Sequence, residues 1–532
     1  MHRFIPLALV VVLFVVCVGA IDHIPWLGYV AVLVGGGVVL GFYDLAQSSH
    51  TLWRNYPIIG RIRWIAEELR PFFRSYIVES ETEGRPFNHE ERAMVYRRAK
   101  NVSSVEPFGS HLNNERPPYE WLAHSLSAAM PTDANPRILV GEGVCAHPYS
   151  ASVLNISAMS FGSLGARAIE ALNRGAAKGG FYHDTGEGGV SRYHAAGGGD
   201  LVWELGSGYF GCRRKDGGFD PIRFEETAKF GQVKMIEVKL SQGAKPGHGG
   251  VLPGSKVTRE IAEARGIEVG QTCLSPAAHS AFSTPIEMME FIARLRELSG
   301  GKPVGIKLCV GNRWEVLALV KAMLETGLHP DFIVVDGAEG GTGAAPAEFL
   351  DHVGAPLRQG LLFVRNALVG AGLKGQIRLV ASGKQVSAFS MAASLALGAD
   401  WINTARGFMF SLGCIQSLNC HNNNCPTGIA TTKAGRQRGL VVSDKAERVY
   451  HFHKNTVHAL MEVVGAAGCQ HPAELSPRHI MHRVTEDDAR PADRAYELLE
   501  AGQLLADPAS TSLYDDWDLA RAESFKPRGA AI

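Results

Sequence analysis

The stretch FIVVDGAEGGTG, residues 332–343, carries the pattern that decides the fold. Its first four residues are β-branched or aromatic, which is typical of a short buried strand, and the eight that follow are small or polar. Seven further apolar runs lie between residues 150 and 410, and several longer stretches between them have helical character. The runs are 154–156, 180–183, 235–240, 271–274, 304–309, 377–380 and 401–403, and the helical stretches are 166–177, 257–264, 285–298, 313–326 and 386–397.

Eight strand-then-helix units within about 260 residues match a closed parallel barrel in both number and length. The sequence therefore predicts an α/β fold built around a (β/α)8 TIM barrel. An open, doubly wound sheet is the alternative, but such sheets usually contain fewer strands.

Polar and glycine residues follow the predicted strands, at the barrel face where active sites are built. Of the 60 glycines in the chain, 41 lie between residues 151 and 410. Ser382-Gly383 and Arg406-Gly407, which follow the last two strands, favour a phosphate held by backbone amides. We therefore expect a phosphate-bearing cofactor such as FMN at this face.

The N-terminus has a different composition from the rest of the chain. Residues 5–21 and 24–43 are uncharged apolar runs separated only by Asp22 and His23. The second run is long enough to cross about 30 Å of hydrocarbon as a helix, and the first is marginal. We predict a transmembrane helical hairpin; a signal peptide cleaved near Ala20 is the alternative, but it would leave the second run behind. Basic residues on both sides predict that both ends lie in the cytoplasm, at the cytoplasmic membrane; they are Arg3, Arg54, Arg61 and Arg63.

Composition limits the remaining function classes. The 53 Lys+Arg residues balance 53 Asp+Glu residues, and this zero net charge argues against a nucleic-acid binder. We predict four regions: the membrane hairpin over 1–45, a helical N-terminal and linker region over 46–150, the barrel with a cysteine loop over 151–432, and a helical tail over 433–532. Residues 62–73 and 89–99 are the helices expected in the linker region.

Three cysteines, Cys414, Cys420 and Cys425, lie close together in the sequence after the last predicted strand. Thiolates at this density suit a soft metal or an iron–sulfur cluster, and three ligands without a fourth cysteine favour a 3Fe–4S cluster. Zinc would need a fourth ligand such as His421, which is adjacent to Cys420 and awkwardly placed. A disulfide with one spare thiol is the remaining alternative.

Five motifs make the region from about residue 154 to residue 432 recognisable. It resembles the FMN-binding synthase domain of glutamate synthase, and the whole chain is similar to the FMN-binding glutamate synthase family. The resemblance implies an FMN-bearing barrel, a 3Fe–4S cluster beside it, and reductive amination of 2-oxoglutarate through 2-iminoglutarate. The motifs are ISAMSFG (156–162), TGEGG (185–189), QGAKPG (242–247), GGTGA (340–344) and CHNNNCPTG (420–428).

The resemblance also implies roles for individual residues. Glu187 and Lys245 would be the catalytic groups that handle protons. The cofactor residues would be Met159 and Ser160 at the flavin ring, Lys307 near its pyrimidine edge, and Gly341, Gly383, Arg406 and Gly407 at its phosphate. The residues that bind the oxoacid would be Ser207, Gln242, Lys245 and Arg265.

Some positions depart from the family pattern. His248 replaces an acidic residue, Val251 replaces a glutamine, and Ser382-Gly383-Lys384 replaces Asp-Gly-Gly. No glutamine-hydrolysing domain is recognisable, so we expect the ammonia to come from elsewhere.

We expect a membrane-anchored FMN and iron–sulfur oxidoreductase acting on CH–NH2 donors, which aminates a 2-oxoacid, with 2-oxoglutarate favoured, or oxidises an amino acid. Its partner would be a redox donor protein or an NAD(P)H-oxidising subunit. The alternative is an FMN and iron–sulfur electron-transfer module, or an amine-oxidising subunit, without glutamate synthase activity.

Overall fold

The computed structural model describes residues 2–529 of the chain. The chain divides into two compact units, Met1–His89 and Glu90–Ile532. The second unit contains the barrel, and the first contains the two apolar helices.

Eight parallel strands close into a barrel in chain order, and this confirms the predicted (β/α)8 fold. Strand pairing is continuous around the barrel; for example, Lys307 is in register with Lys239 on one side and with Val334 on the other. The barrel strands are β1 (Leu154–Ile156), β2 (His183–Asp184), β3 (Leu201–Leu205), β4 (Val233–Lys239), β5 (Val304–Leu308), β6 (Phe332–Asp336), β7 (Arg378–Ser382) and β8 (Trp401–Thr404).

One predicted barrel strand was wrong. Residues 271–274 do not enter the barrel, because Cys273–Leu274 pairs antiparallel with Val251–Leu252 in a separate ribbon. The third barrel strand is instead β3, all five residues of which are buried. The sequence pattern missed β3 because Glu204 interrupts its apolar run and only the four-residue helix Arg192–Ala195 precedes it.

The N-terminal end of the barrel is filled by large side chains. The antiparallel strands Arg137–Val140 and Tyr149–Ser152 contribute to the core there. Tyr182 and Trp401 are fully buried beside them, and the Trp401 indole N–H donates to the Tyr182 hydroxyl at 2.9 Å. Because this end is packed, the site must form at the opposite end, where the polar loops lie.

The remaining elements are mostly helical, and the predicted helices 62–73, 89–99, 285–298 and 313–326 have the observed bounds. A capping box between Thr284 and Glu287 begins the third of these. The α-helices are Ile5–Gly19, Leu27–Ala46, Thr51–Asn55, Ile62–Phe73, His89–Ala99, Ala166–Gly179, Arg192–Ala195, Pro221–Ala228, Arg259–Arg265, Pro285–Leu298, Arg313–Thr326, Ala347–His352, Leu357–Gly370, Ala388–Ala396, Arg406–Ser411, Ala434–Gln437, Val442–Ala466, Ala492–Ala495, Gln503–Ala506 and Tyr514–Leu519. The short strands Glu120–Leu122, Ile480–Arg483 and Ala489–Pro491 form a separate three-stranded sheet.

In the N-terminal unit, Ile5–Gly19 and Leu27–Ala46 pack side by side. Gly35 and Gly41 allow this close approach, since a Cβ on either would lie within 3 Å of Phe14 or Leu7, respectively. Few side chains of either helix are buried, and Leu33 is an example of an exposed one. By length and composition these helices are able to cross a membrane, a test that an N-terminal signal sequence also passes.

We expect Gly305→Ala to destabilise the barrel by about 1–3 kcal/mol, because overpacking a filled core has this effect. A Cβ on Gly305 would lie 2.4 Å from the ring of Phe332 on the neighbouring strand. Gly311→Ala is the matched control, since a Cβ there meets nothing within 4 Å. Urea unfolding of both variants measures the difference, and equal free energies of unfolding would contradict the packing argument.

Candidate active site

Loops after several barrel strands enclose a polar cavity at the C-terminal face of the barrel. Three of the residues predicted from the sequence, Glu187, Ser207 and Gln242, line it together. Lys239, at the end of β4, and His248 also line it. The predicted substrate residues thus meet a buried lysine that the motifs had not singled out.

Glu187 lies in this cavity between two stretches of backbone. A Cβ on Gly206 or on Gly250 would collide with its side chain, so only glycine allows the carboxylate to occupy this space. Lys239 Nζ donates to Glu187 Oε2 at 2.9 Å. Burial by itself would raise the pKa of Glu187, but the positive charges of Lys239, Arg265 and Lys245 outweigh it and the pKa is lowered. Glu187 is therefore a carboxylate at neutral pH.

Lys245 and Arg265 are both buried beside Glu187. Lys245 Nζ donates to the carbonyl of Gly249 at 3.3 Å, and burial lowers the pKa of this lysine. Arg265 Nη2 donates to Ser160 Oγ and to the Phe161 carbonyl, each at 3.3 Å. Among residues 2–529, the buried Nε of Arg265 has no hydrogen-bond partner, which leaves one donor of this guanidinium unused.

The loop after β1 connects Arg265 to the predicted flavin residues. Met159 and Ser160 are both buried, and Ser160 Oγ lies 2.9 Å from Ser163 Oγ. A Cβ on Gly186 would lie 2.7 Å from the backbone nitrogen of Ser160, so the TGEGG loop packs directly on this backbone. The residues predicted to face flavin and those predicted to bind substrate are therefore in contact through Ser160.

Beneath the cavity, the barrel interior contains a layer of charged side chains. Lys307 Nζ donates to Glu204 Oε2 at 2.9 Å and lies 3.7 Å from Glu237 Oε1. Lys239 Nζ lies 4.0 Å from Glu204 Oε1, which connects this layer to Glu187. Within residues 2–529, Asp184, Glu204 and Glu237 form the one group of three metal-type ligands gathered within 4.8 Å. The structure thus places Lys307 in an interior ion pair and not on the lining of the cavity.

The sequence reasoning missed four members of this layer, Asp184, Glu204, Glu237 and Lys239. Burial, and then the charge of Glu204, raise the pKa of Asp184 to about 7. Glu237 also has a raised pKa, because it is buried and faces Asp184. The alternation of Glu237 and Lys239 on β4 was the available signal, since residues i and i+2 of a strand share one face.

The predicted phosphate residues occupy two different positions. A Cβ on Gly341 would lie 2.7 Å from the side chain of Arg406, whose Nη2 donates to the Glu339 carbonyl at 2.8 Å. Gly383 has a φ of +129°, which favours glycine, and it lies against the backbone of Gly337. Gly407 instead packs against Phe452 of helix Val442–Ala466. Gly341 and Arg406 are thus in contact, and Gly383 reaches the same loop through Gly337.

Burial raises the pKa of the Cys414 thiol to about 12 and also raises that of Cys420. Cys425 differs, because its Thr427 hydroxyl contact and nearby backbone amides outweigh burial and lower its pKa. In residues 2–529 the three sulfurs do not gather within 4.8 Å of one another, unlike ligands of a single zinc ion.

Lys256 is a further buried cation that sequence reasoning missed. Its Nζ donates to the Ser163 carbonyl at 3.0 Å, next to the Met159-Ser160 loop. The adjacent Ser255 carbonyl accepts from Asn423 Nδ2 at 3.2 Å, within the cysteine loop. Ser255 and Lys256 therefore connect the predicted flavin loop, which carries Met159 and Ser160, to the cysteine loop that is predicted to hold the cluster.

Comparison with known proteins gives consistent matches. Residues 111–470 match the family model of the conserved region in glutamate synthase. The chain is 38% identical over 480 residues to the glutamate synthase large subunit-like protein YerD of Bacillus subtilis, covering 83% of this chain and 91% of that relative. It is 33% identical over 314 residues to the archaeal glutamate synthase (NADPH) of Methanocaldococcus jannaschii, covering 59% of this chain and 58% of that relative. A solved lactate oxidase of Pediococcus acidilactici is similar with a TM-score of 0.43 and 16% identity, covering 68% of this chain and 83% of that one. The sequence matches confirm the resemblance drawn from the motifs.

We expect Asp184→Asn to stabilise the folded protein at alkaline pH. A folded pKa raised to about 7 from 3.8 means that the carboxyl favours folding while protonated, and that this contribution is lost as pH rises through about 7. Asparagine keeps the oxygen that accepts from Gly186 N–H and avoids the ionised form. The variant should be more stable than the wild type by about 1–3 kcal/mol at pH 8.

The internal control is to compare the stability of Asp184→Asn with that of the wild type at lower pH. The advantage of the variant should shrink as pH falls, because the wild-type carboxyl then binds its proton. Thermal unfolding of both proteins across this pH range measures the difference in stability. A difference that does not change with pH would contradict the raised pKa of Asp184.

Proposed function

Since this chain belongs to the glutamate synthase family, we propose that it is a flavin-dependent oxidoreductase that reductively aminates a 2-oxoacid with ammonia. We infer 2-oxoglutarate as the favoured substrate. The observation that carries this proposal is the arrangement around Glu187, where Ser207 and Gln242 share its cavity and two buried cations, Lys245 and Arg265, lie beside it.

Cationic side chains match a dicarboxylate substrate. A guanidinium binds a carboxylate through charge-assisted hydrogen bonds, and the unpaired Nε of Arg265 is a donor of this kind. Lys239 is already paired with Glu187 and Glu204, so Arg265 and Lys245 are the better candidates for substrate contacts. His248 lines the same cavity in place of the acidic residue of the family pattern, and it therefore bears on which oxoacid fits.

Two side chains, Glu187 and Lys245, transfer protons in this proposal. Glu187 is ionised, so it accepts a proton or orients an amine or ammonium. Lys245, whose pKa burial lowers, releases its proton more readily than a solvated lysine does. Lys245 is thus the proton donor to the oxygen that leaves the oxoacid as water, and Glu187 interacts with the nitrogen that replaces it.

The residues present fit FMN. Gly341 lies against the Arg406 side chain and Gly383 has a positive φ, and glycine backbone amides beside a guanidinium are groups that bind a phosphate. Met159 and Ser160 would hold the ring next to Arg265, with Gly407 contributing backbone at the phosphate and Lys307 a positive charge from the barrel interior. When bound, FMN supplies the hydride that reduction of an imine needs.

The cysteine loop fits a 3Fe–4S cluster held by Cys414, Cys420 and Cys425. Backbone amides already favour the thiolate form of Cys425, which is the form that binds iron. Such a cluster supplies electrons one at a time from a redox donor protein or an NAD(P)H-oxidising subunit.

We also propose that Ile5–Gly19 and Leu27–Ala46 form a membrane hairpin that anchors the enzyme. The small faces of Gly37 and Gly41, four residues apart, suit close packing of helices in lipid. Arg3 and Asn55, which precede and follow the hairpin, are hydrogen-bonded at 3.0 Å, so its two ends lie on the same side. Basic residues at these ends favour the cytoplasmic side.

The testing experiment is anaerobic turnover by the purified, chemically reduced full-length protein in detergent. With ammonia and 2-oxoglutarate we expect glutamate to form and the absorbance of oxidised flavin to return. Other 2-oxoacids should react more slowly. The proposal fails if no 2-oxoacid is aminated and no amino acid is oxidised by the loaded protein.

We expect Arg265→Met to weaken 2-oxoglutarate binding about tenfold or more, because it removes a buried charge-assisted donor. Arg265→Lys keeps the charge and should recover part of the binding. Arg259→Met is the matched control on the same helix, since Arg259 is exposed and pairs with Glu263. Equilibrium titration of oxoacid into each flavin-loaded variant measures the effect, and unchanged affinity in Arg265→Met would favour an electron relay without substrate.

We expect Cys425→Ser to abolish the iron–sulfur signal, because serine is a poor ligand for iron in such clusters. Iron and sulfide content and the EPR spectrum of anaerobically purified protein provide the measurement. Cys469→Ser removes a buried cysteine outside the loop and should leave the signal unchanged. An unaltered spectrum in Cys425→Ser would overturn the assignment of the cluster to this loop.

A further inference from the structure

Helix Ile62–Phe73, in the N-terminal unit, presents a row of exposed apolar side chains on one face. Ile62, Ile65, Leu69 and Phe73 recur at the spacing of one helix face, and we call them the apolar stripe. Their exposed fractions are 61%, 56%, 42% and 53%. Tyr76, Ile77 and Val78 in the following turns are also exposed. A helix this amphipathic would normally bury such a face, so an apolar phase outside the chain is its natural partner.

The opposite face of the same helix is polar. Arg63 and Glu67 form an ion pair across one turn at 3.5 Å, and Arg70 lies on the same side. Arg74 pairs with Glu79 at 2.7 Å just beyond the helix. The helix therefore has one charged side suited to water and one apolar side suited to hydrocarbon.

A buried ion pair fixes the start of this helix to the end of the second apolar helix. Asp44 is fully buried in the last turn of Leu27–Ala46. It accepts from Arg61 Nη2 at 2.6 Å and from the Ile58 backbone N–H at 3.0 Å. Since Arg61 immediately precedes helix Ile62–Phe73, the stripe begins at the level where Leu27–Ala46 ends.

Aromatic side chains gather at the same level. The Arg61 guanidinium lies 4.1 Å from the ring centre of Trp53, and Trp53 packs edge-on against Trp64 at 5.2 Å. His50 lies against Trp53, at 3.9 Å between ring centres. Tryptophan is enriched where hydrocarbon meets headgroups, so this cluster marks the depth of a membrane–water boundary.

We propose that helix Ile62–Phe73 lies in the plane of the membrane interface, with the apolar stripe in the acyl–headgroup boundary and Arg63 and Arg70 toward water. This inference rests on the proposed membrane hairpin and adds a second, in-plane element to it. The buried pair of Asp44 and Arg61 connects this helix directly to the end of Leu27–Ala46. Because of this connection, we select a lipid surface, and not a second copy of the chain, as the partner of the apolar stripe. The Trp53–Trp64 contact holds the helix at that depth.

The test is photo-crosslinking of the full-length protein in phospholipid vesicles. A benzophenone amino acid replaces Ile65 or Leu69 on the stripe, Glu67 on the polar face, or Leu33 on the exposed side of Leu27–Ala46. All four positions are exposed, so each variant should fold. Mass spectrometry then counts the lipid and protein adducts at each position.

We expect lipid adducts at Leu33, Ile65 and Leu69, several-fold more abundant than at Glu67. Lipid adducts at Leu33 with none at Ile65 and Leu69 would overturn this inference and leave the hairpin intact. Protein adducts at the stripe in place of lipid would also overturn it and indicate a protein partner. Absence of lipid adducts at all four positions would overturn the hairpin together with the inference.

Discussion

The ammonium of Lys239 lies where the barrel interior meets the candidate active site, and both depend on its position. It donates to Glu187 at 2.9 Å on the cavity side and lies 4.0 Å from Glu204 on the interior side. Without it, the Glu187 carboxylate would be buried with no hydrogen-bonded cation, an arrangement that destabilises proteins strongly. His279 Nε2 lies 2.8 Å from the Lys239 carbonyl, and its Nδ1 lies 3.0 Å from the Tyr209 hydroxyl. The backbone that carries the ammonium is therefore held as firmly as the side chain.

The site also depends on close contacts between the loops that follow β4 and β6. Asp336, at the end of β6, accepts from the backbone N–H of Gly243 in the loop after β4. A Cβ on Gly243 would lie 1.9 Å from the Gly337 carbonyl, so this contact requires glycine. The loop that carries Gln242 and Lys245 is thus hydrogen-bonded to the predicted phosphate loop. The concentration of glycine in the barrel region reflects such contacts between loops.

The sequence predicted those features that local patterns encode. Helix 285–298 was predicted with its observed bounds because Thr284, Pro285 and Glu287 signal its start. Strand β3 was missed because Glu204 points into the barrel, where its charge is compensated by Lys307, about a hundred residues away, and by Lys239. Glu187, Ser207 and Gln242 were found through the family resemblance, whereas the pairing of Glu187 with Lys239 depends on strand register, which no local pattern specifies.

The charged layer also constrains where protons reside. Three buried carboxyls, those of Asp184, Glu204 and Glu237, lie around the buried ammonium of Lys307, while Lys239 pairs with Glu187 on the cavity side. If all three interior carboxyls were ionised, their negative charge would exceed the positive charge of Lys307 in a poorly solvated interior, which is unfavourable. The raised pKa values of Asp184 and Glu237 reduce this excess, because each binds its proton more tightly than a solvated carboxyl does, while the carboxylates of Glu187 and Glu204 pair with the lysines. A change in the charge of Glu187 would alter the pKa values of Asp184 and Glu237 through Lys239 and Glu204. The protonation of the site and that of the barrel interior are therefore coupled.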